Sequence, residues 1–256
     1  MSAIVEFRGA GYSVPRSQGS SDILRALTFT VESGETLVLL GRSGSGKTTA
    51  LKMVNRLLTP TSGEVLVEGR PTAEWDPIRL RRRIGYVIQE TGLFPHFTVA
   101  ENIGLVPRLE GWTPERVAAR VNELLEKMGL PSREFAGRYP RELSGGQRQR
   151  VGVARALAAD PPVLLFDEPF GALDPITRLD LQKQFLDLRK ALRKTSIFVT
   201  HDVREALMLG TRIGLMSNGH LELLATPQEF RHATSSEARA FLAGLDWRME
   251  GDGPSQ

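Results

Sequence analysis

Apolar residues in this chain fall into short runs whose spacing separates strands from helices. Leu37 to Leu40, Val163 to Phe166 and Ile197 to Val199 are apolar without alternation. Strands covered on both faces, as in a parallel sheet, have that pattern. Strands are predicted at Ala3 to Phe7, Leu27 to Val31, Thr36 to Leu40, Glu64 to Val67, Ile84 to Ile88, Val163 to Asp167 and Ile197 to Thr200. Leu27 to Val31 alternates instead, and Asn218-Gly219 between Arg212 to Ser217 and His220 to Leu224 reads as a hairpin turn. Antiparallel pieces therefore flank a parallel core.

The period becomes helical over 98–159, between the strands ending at Ile88 and Asp167, which marks a candidate inserted lobe. Thr98 with Glu101 forms a capping box, and Thr113-Pro114 starts a helix whose apolar stripe is Val117, Val121, Leu124, Leu125 and Met128. Asp174-Pro175 opens another with Leu181, Phe185, Leu188 and Leu192 on one face, and Thr226 to Glu229 opens a short one. Residues 1–246 are read as one domain and the polar, Gly/Pro-containing 247–256 as a disordered tail.

Composition narrows the classes. With 41% apolar and 25% charged residues, 256 residues can bury a substantial core. The 33 basic residues against 30 acidic ones leave +3, which is no nucleic-acid-binding surface. The cluster Arg79, Arg81, Arg82, Arg83 reads as a solvated helix face. Without cysteine there are no disulfides or thiolate metal sites, in keeping with a reducing cytoplasm. Met1 to Phe7 has no signal-peptide pattern, and no apolar run approaches the roughly 18 residues of a membrane span, so a soluble chain is expected.

Three segments carry phosphate chemistry. Gly41-Arg42-Ser43-Gly44-Ser45-Gly46-Lys47-Thr48 follows an apolar strand and precedes a helical stretch. In such a P-loop, glycines let backbone N–H groups curl around phosphates, the lysine reaches the β and γ phosphates, and the Thr48 hydroxyl can ligate Mg²⁺. A plain Gly/Ser loop would not match all eight positions. Asp167 and Glu168 end a strand expected beside the P-loop strand, at the sheet's carboxyl edge where ligands bind. Asp167 suits a Mg²⁺ ligand and Glu168 a general base, although an acidic pair alone is more often a cap or turn. Leu143-Ser144-Gly145-Gly146-Gln147 before a helical run offers a second anion-binding helix start, or in isolation a serine N-cap with flexible glycines. The two helix starts would grip one γ phosphate from opposite sides, within one chain or between two.

In order and spacing these segments resemble the ATP-binding-cassette family. The likeness takes in Gln89 after Ile84 to Ile88, Gly171-Ala172-Leu173-Asp174, and His201 after Ile197 to Thr200, and it spans about Ile4 to Leu245. It implies an α/β P-loop NTPase core with a parallel sheet, an antiparallel N-terminal β subdomain and an inserted helical lobe. It also implies ATP and Mg²⁺ as cofactors and a head-to-tail dimer in which Ser144 and Gly146 of one subunit complete the site built by Lys47 of the other. By the same likeness Gly41 to Thr49 (Thr49 included) and Ser144 to Gln147 contact nucleotide, Thr48, Gln89 and Asp167 serve the metal, and Glu168, His201, Gln89 and Lys47 are catalytic. Gln89 senses Mg²⁺ and the attacking water, His201 meets the γ phosphate and Asp174 links the two sites. Tyr12 resembles the aromatic that stacks on adenine, although Ser13 to Ser21 makes a longer connection than the family usually has.

Finer resemblance lies in Met53 to Leu58, Asp76-Pro77 with Leu80-Arg81-Arg82, Ile84 to Gln89, and Gly92 to His96. These look like ATPase subunits of importers for glycine betaine, choline, carnitine or proline. Such a subunit works with integral membrane permease subunits and, indirectly, a solute-binding protein. It lies peripherally on the cytoplasmic face of the membrane and takes no nucleic acid. Leu93, Phe94, Pro95 and Phe97 become candidates for the permease contact, against core burial of some of the four. Several members carry C-terminal CBS domains, which 256 residues do not hold, so ionic-strength sensing through them is not expected. A soluble cassette acting on nucleic acid would show paired cassettes or a coiled-coil insertion, and a non-hydrolysing switch would not retain Glu168 and His201.

Overall fold

The computed structural model describes residues 3–15, 19–89, 92–171, 173–192 and 194–246, with side chains 188–193 and 246 set aside. The predicted tail 247–256 and Ala172 lie outside these. In chain order the elements are β1 (Ala3–Pro15), β2 (Ser20–Glu32), β3 (Thr36–Gly41), α1 (Lys47–Val54), β4 (Ser62–Val67) and β5 (Arg70–Pro71). Then come α2 (Pro77–Arg82), β6 (Ile84–Val87), α3 (Val99–Leu109), α4 (Pro114–Lys127), α5 (Ser132–Phe135), α6 (Gly145–Leu157) and β7 (Val163–Asp167). The last are α7 (Pro175–Leu192), β8 (Thr195–Thr200), α8 (Val203–Leu209), β9 (Arg212–Ser217), β10 (His220–Ala225), α9 (Pro227–Arg231) and α10 (Ser236–Asp246). Two compact units divide the chain: residues 1–73 with 197–256, and residues 74–196.

In the first unit an antiparallel sheet runs β2-β1-β4-β5. Phe7 pairs with Phe29 and their rings stack at 4.4 Å. The strands are far longer than predicted, because β1 continues through Tyr12, opposite Leu24, to Pro15, opposite Ser20. The expected long connection Ser13 to Ser21 is therefore mostly hairpin. Register shifts between Phe7 and Ala10, and again on both sides of Tyr12, break the two-residue alternation by which a strand is recognised.

In the same unit the order β10-β9-β3-β8 puts the fully buried β3 between β9 and β8. The expectation that Val163 to Asp167 runs directly beside the P-loop strand is thus wrong, since β9 and β8 fill both edges of β3. Apolar runs identify covered strands but do not order them. β3 and β9 are parallel, with Leu40 opposite Leu215. β9 turns into β10 at Asn218 (φ 49°) and Gly219 (φ 80°), both in the left-handed region that a two-residue hairpin turn demands.

The second unit, 74–196, is wider than the 98–159 lobe. Its strands β6 and β7 are parallel, with Tyr86 opposite Leu165, and α6 lies so close on β6 that a Cβ on Gly85 would stand 2.3 Å from the Ala156 carbonyl oxygen. Strand and helix thus belong to one packing unit. Val117, Val121, Leu124, Leu125 and Met128 are buried as predicted, as are Leu181 and Phe185 of α7. Leu188 and Leu192 lie outside the described side chains.

Candidate functional site: a phosphate cradle and a carboxylate cluster

The predicted site residues fall into two groups, one in each unit. In the first, Gly41 to Gly46 link β3 to α1. The glycines are needed for different reasons. A Cβ at Gly41 would stand 2.3 Å from the Met216 carbonyl oxygen of β9, and one at Gly46 (φ 96°) would stand 2.4 Å from Leu24 Cδ2. Gly44 faces open space, so only its φ of 80° calls for glycine. Freedom of the backbone to curl around phosphate is therefore not the whole cause: two of the three positions are set by protein packing.

Gly46 caps α1 with no side-chain hydrogen bond, and the first turn carries no acidic residue. By contrast α3, α4, α6 and α9 each have a Thr or Ser hydroxyl accepting a first-turn N–H. The N-cap of α1 thus offers its first-turn amides no side-chain acceptor, and they lie at the positive end of the helix dipole, an arrangement suited to an anion. Lys47 is 4% exposed, and its Nζ donates to the carbonyls of Gly41 (2.8 Å) and Arg42 (2.9 Å), so the ammonium is held within the loop. The Ser45 hydroxyl is buried without a hydrogen-bond partner, while Arg42 reaches out to Glu237 at 2.7 Å. Ser43 is exposed, and Thr48 and Thr49 are half-buried in the first turn of α1.

His201 is exposed on the turn between β8 and α8. That turn is anchored by Thr200, whose hydroxyl donates to the buried Glu205 and accepts from the Asp202 amide at 3.0 Å. Tyr12 is half-buried on β1.

The second unit holds the carboxylates. Asp167, 8% exposed at the end of β7, accepts a hydrogen bond from the Tyr86 hydroxyl at 3.2 Å. Burial, reinforced by the adjacent Asp167 charge, pushes the Tyr86 phenol well above its ordinary value, so it remains a donor. Glu168 takes φ 44°, a left-handed backbone that costs a non-glycine residue about 1–3 kcal/mol. Gln89 Nε2 and Glu168 Oε2 converge on Gly171, at 3.7 and 3.8 Å from where its Cβ would be. Gln89 and Glu168 are therefore brought together.

Ser144 forms a capping box with Gln147: the hydroxyl accepts from Gln147 N (3.3 Å) and Gln147 Oε1 accepts from Ser144 N (2.9 Å). A Cβ on the buried Gly146 would meet Thr177 Cγ2 at 2.3 Å, while Gly145 is exposed. Asp174 caps α7, accepting from Thr177 N at 3.0 Å, and the Thr177 hydrogen bonds hold its carboxyl below the ordinary range.

None of Leu93, Phe94, Pro95 and Phe97 is buried, contrary to the expectation that some would be core. Asn102, which the sequence reading passed over, holds this segment up: it is fully buried and bonds Phe94 and Phe97 main-chain groups. Phe94, with Arg82, Tyr86, Leu105 and Arg155, lines a groove of about 320 Å³. Tyr86 and Thr200 were missed as well. Their signal is only register, since each sits one or two residues from a motif on the same or a paired strand.

Among the described residues no three acidic, His or Cys side chains gather as a metal cage. Mg²⁺ fits such a chain through one carboxylate and a hydroxyl together with phosphates and water, which is its usual habit. Thr48 and Asp167 are the right types.

Residues 24–171 match the model of the family described as "ABC transporter". The chain is 51% identical over 220 residues to the osmoprotectant import ATP-binding protein OsmV of Salmonella typhimurium, covering 86% of this chain and 58% of that protein. It is 48% identical to the glycine betaine/carnitine/choline transport ATP-binding protein OpuCA of Bacillus subtilis, with the same coverages. With the glycine betaine uptake system ATP-binding protein YehX of Escherichia coli it shares 48% identity, over 82% of this chain and 68% of that one. The chain thus spans 58% of the length of the first two relatives. Among solved structures, the dimeric post-hydrolysis state of the ATP-binding cassette MJ0796 bound to ADP and Pi superposes with a TM-score of 0.79 at 33% identity, covering 87% of this chain and 98% of that one. No helix among the described residues is long and apolar enough to cross a membrane.

Proposed function

Because the chain belongs to the ABC transporter family, we propose that it is the ATP-binding and ATP-hydrolysing subunit of an importer for a quaternary-amine osmoprotectant such as glycine betaine, choline or carnitine. One observation carries the nucleotide reading: α1 opens on a left-handed glycine that brings no capping side chain, with Lys47 folded over the same loop. Amides of Gly44 to Thr49 bind the phosphates, and Lys47 exchanges loop carbonyls for β and γ oxygens. Thr48, Asp167 and Gln89 hold Mg²⁺, which when bound neutralises phosphate charge. Glu168 polarises the attacking water, Gln89 orients it and His201 contacts the γ phosphate. Tyr12 stacks on the adenine.

Ser144 to Gln147 of a second copy close the site from the opposite side, and Asp174 links the two sites of the dimer. ATP closes this dimer and hydrolysis reopens it, moving permease subunits that dock on Leu93 to Phe97. The solute-binding protein acts through the permease, and the subunit stays peripheral on the cytoplasmic face. The solute class rests on relatives named for osmoprotectant, betaine, carnitine and choline transport.

Phosphate release from purified wild type, Lys47→Ala and Glu168→Gln tests this. Losing a general base slows hydrolysis by about 10² to 10⁴ while leaving ATP binding intact, so Glu168→Gln is expected to accumulate as an ATP-bound dimer by light scattering. Wild-type turnover in Glu168→Gln, or a monomer at saturating ATP, refutes the reading. Uptake of radiolabelled choline and betaine with the permease tests the solute class.

A further inference from the structure

We propose that Tyr86 is a positioning residue for the metal: its hydroxyl fixes the rotation of the Asp167 carboxylate, so that the remaining oxygen faces the magnesium shell in one orientation. The inference rests on the assignment of Asp167 to Mg²⁺ made above.

The register makes the contact. Tyr86 on β6 stands opposite Leu165 on β7, and Asp167 is two residues further along. Side chains two apart share a sheet face, so Asp167 lies diagonally across from Tyr86. With strands about 4.8 Å apart and a rise of about 3.3 Å per residue that diagonal is roughly 8 Å, beyond a short side chain but within reach of a tyrosine hydroxyl. The hydroxyl meets Oδ2 at 3.2 Å.

The terminal torsion of an aspartate is broad and roughly two-fold, so a carboxylate without restraint presents either oxygen over a range of angles. A hydrogen bond to Oδ2 narrows that freedom, so that a bound metal or its water meets Oδ1 over a smaller range of angles. Outer-shell donors of this kind orient ligating carboxylates, and losing one costs about 10–100-fold in metal affinity or activity. The ring itself is held: it is half-buried and lines the groove beside Phe94 and Arg155. Phenylalanine would fill the same space without the donor.

The experiment compares wild type, Tyr86→Phe, Asp167→Asn and the double variant, with Mn²⁺ as the probe in the presence of ADP and free metal read by electron paramagnetic resonance. Tyr86→Phe is expected to bind Mn²⁺ about 10-fold more weakly, with ADP affinity in EDTA unchanged. Its apparent Mg²⁺ activation constant for ATP hydrolysis rises by a similar factor, while kcat at saturating metal changes far less. A merely structural tyrosine would lower kcat at every metal concentration. In the Asp167→Asn background the same change is expected to add nothing, because the group it orients is gone. Mn²⁺ affinity in Tyr86→Phe within about twofold of wild type, alongside a loss in Asp167→Asn, overturns this inference alone. Undiminished affinity in Asp167→Asn overturns the metal assignment and this inference together.

Discussion

Replacing Asn102 with leucine removes the polar groups that tie the Phe94 to Phe97 segment to α3 while keeping the same branched heavy-atom skeleton. Asn102 is fully buried, accepts from Phe94 N at 2.8 Å, and donates to Phe94 O (3.1 Å), Phe97 O (3.1 Å) and Thr98 O (3.0 Å). Two of these four groups keep another partner: Thr98 O still accepts Asn102 N within the helix, and Phe94 O still accepts Phe97 N. Phe94 N and Phe97 O lose the bond given by Asn102. A backbone group left unpaired away from water costs about 1–3 kcal/mol. Phe94 is 45% exposed, so water recovers part of this, and the buried leucine offsets another part. The expected net loss is about 2 kcal/mol. Urea unfolding gives the free energy, and amide exchange at Phe94 compared with Ile103 localises it. The Phe94 amide should lose its protection while Ile103, inside α3, keeps most of its own. A loss below about 0.5 kcal/mol with unchanged exchange at Phe94 would refute the reasoning, since the side-chain bonds would then be worth no more than bonds to water. With the permease present, transport should fall more than basal ATP hydrolysis, because the segment is the proposed docking surface.

Alanine at Gly41 forces a Cβ to 2.3 Å from the Met216 carbonyl oxygen and is expected to part β3 from β9, costing about 1–3 kcal/mol by thermal unfolding together with weaker ATP binding. Alanine at Gly44 meets nothing within 4 Å and pays only the left-handed backbone, about 1–2 kcal/mol, so its unfolding temperature should fall less than that of Gly41→Ala; the reverse order would contradict the packing account. The Glu101 carboxyl is held below its ordinary 4.5, first by the Thr98 amide and then by the Thr98 hydroxyl. Because the folded value is the lower one, the stability it contributes is present above pH 4.5 and lost as pH falls from there through the folded value. Urea midpoints measured across that acid window should fall less steeply in Glu101→Gln than in wild type.

Elements whose cause is local were legible in the sequence. Val163–Asp167 is found with its predicted limits, and the Thr98–Glu101 and Thr226–Glu229 boxes are present, because capping needs only residues three apart. The Asn218-Gly219 turn follows from backbone preference alone. What failed was non-local. Bulges hid the far half of β1, strand order put β8 rather than the Asp167 strand at one edge of β3, and Tyr86 reaches Asp167 only through a cross-strand register. The exposure of Phe94 depends on Asn102 eight residues later, which pulls main chain and not ring toward α3.

The two glycine-serine segments show why similar text can serve different chemistry. At α1 the N-cap is a glycine in the left-handed region, which has no side-chain oxygen to offer the first-turn amides, and the charge of Lys47 lies beside them. At α6 the N-cap is Ser144 in an extended conformation, its oxygen already accepts Gln147 N, and no lysine is near in sequence. One helix start therefore brings no capping hydroxyl and carries a lysine beside it, while the other already has a hydroxyl on one of its amides. A hydroxyl that accepts a capping bond still has its proton to donate, so Ser144 can touch a phosphate without giving up the cap. That asymmetry fits a site in which one face binds nucleotide first and the second face, presented by another copy, adds its contact afterwards, at little cost when it withdraws.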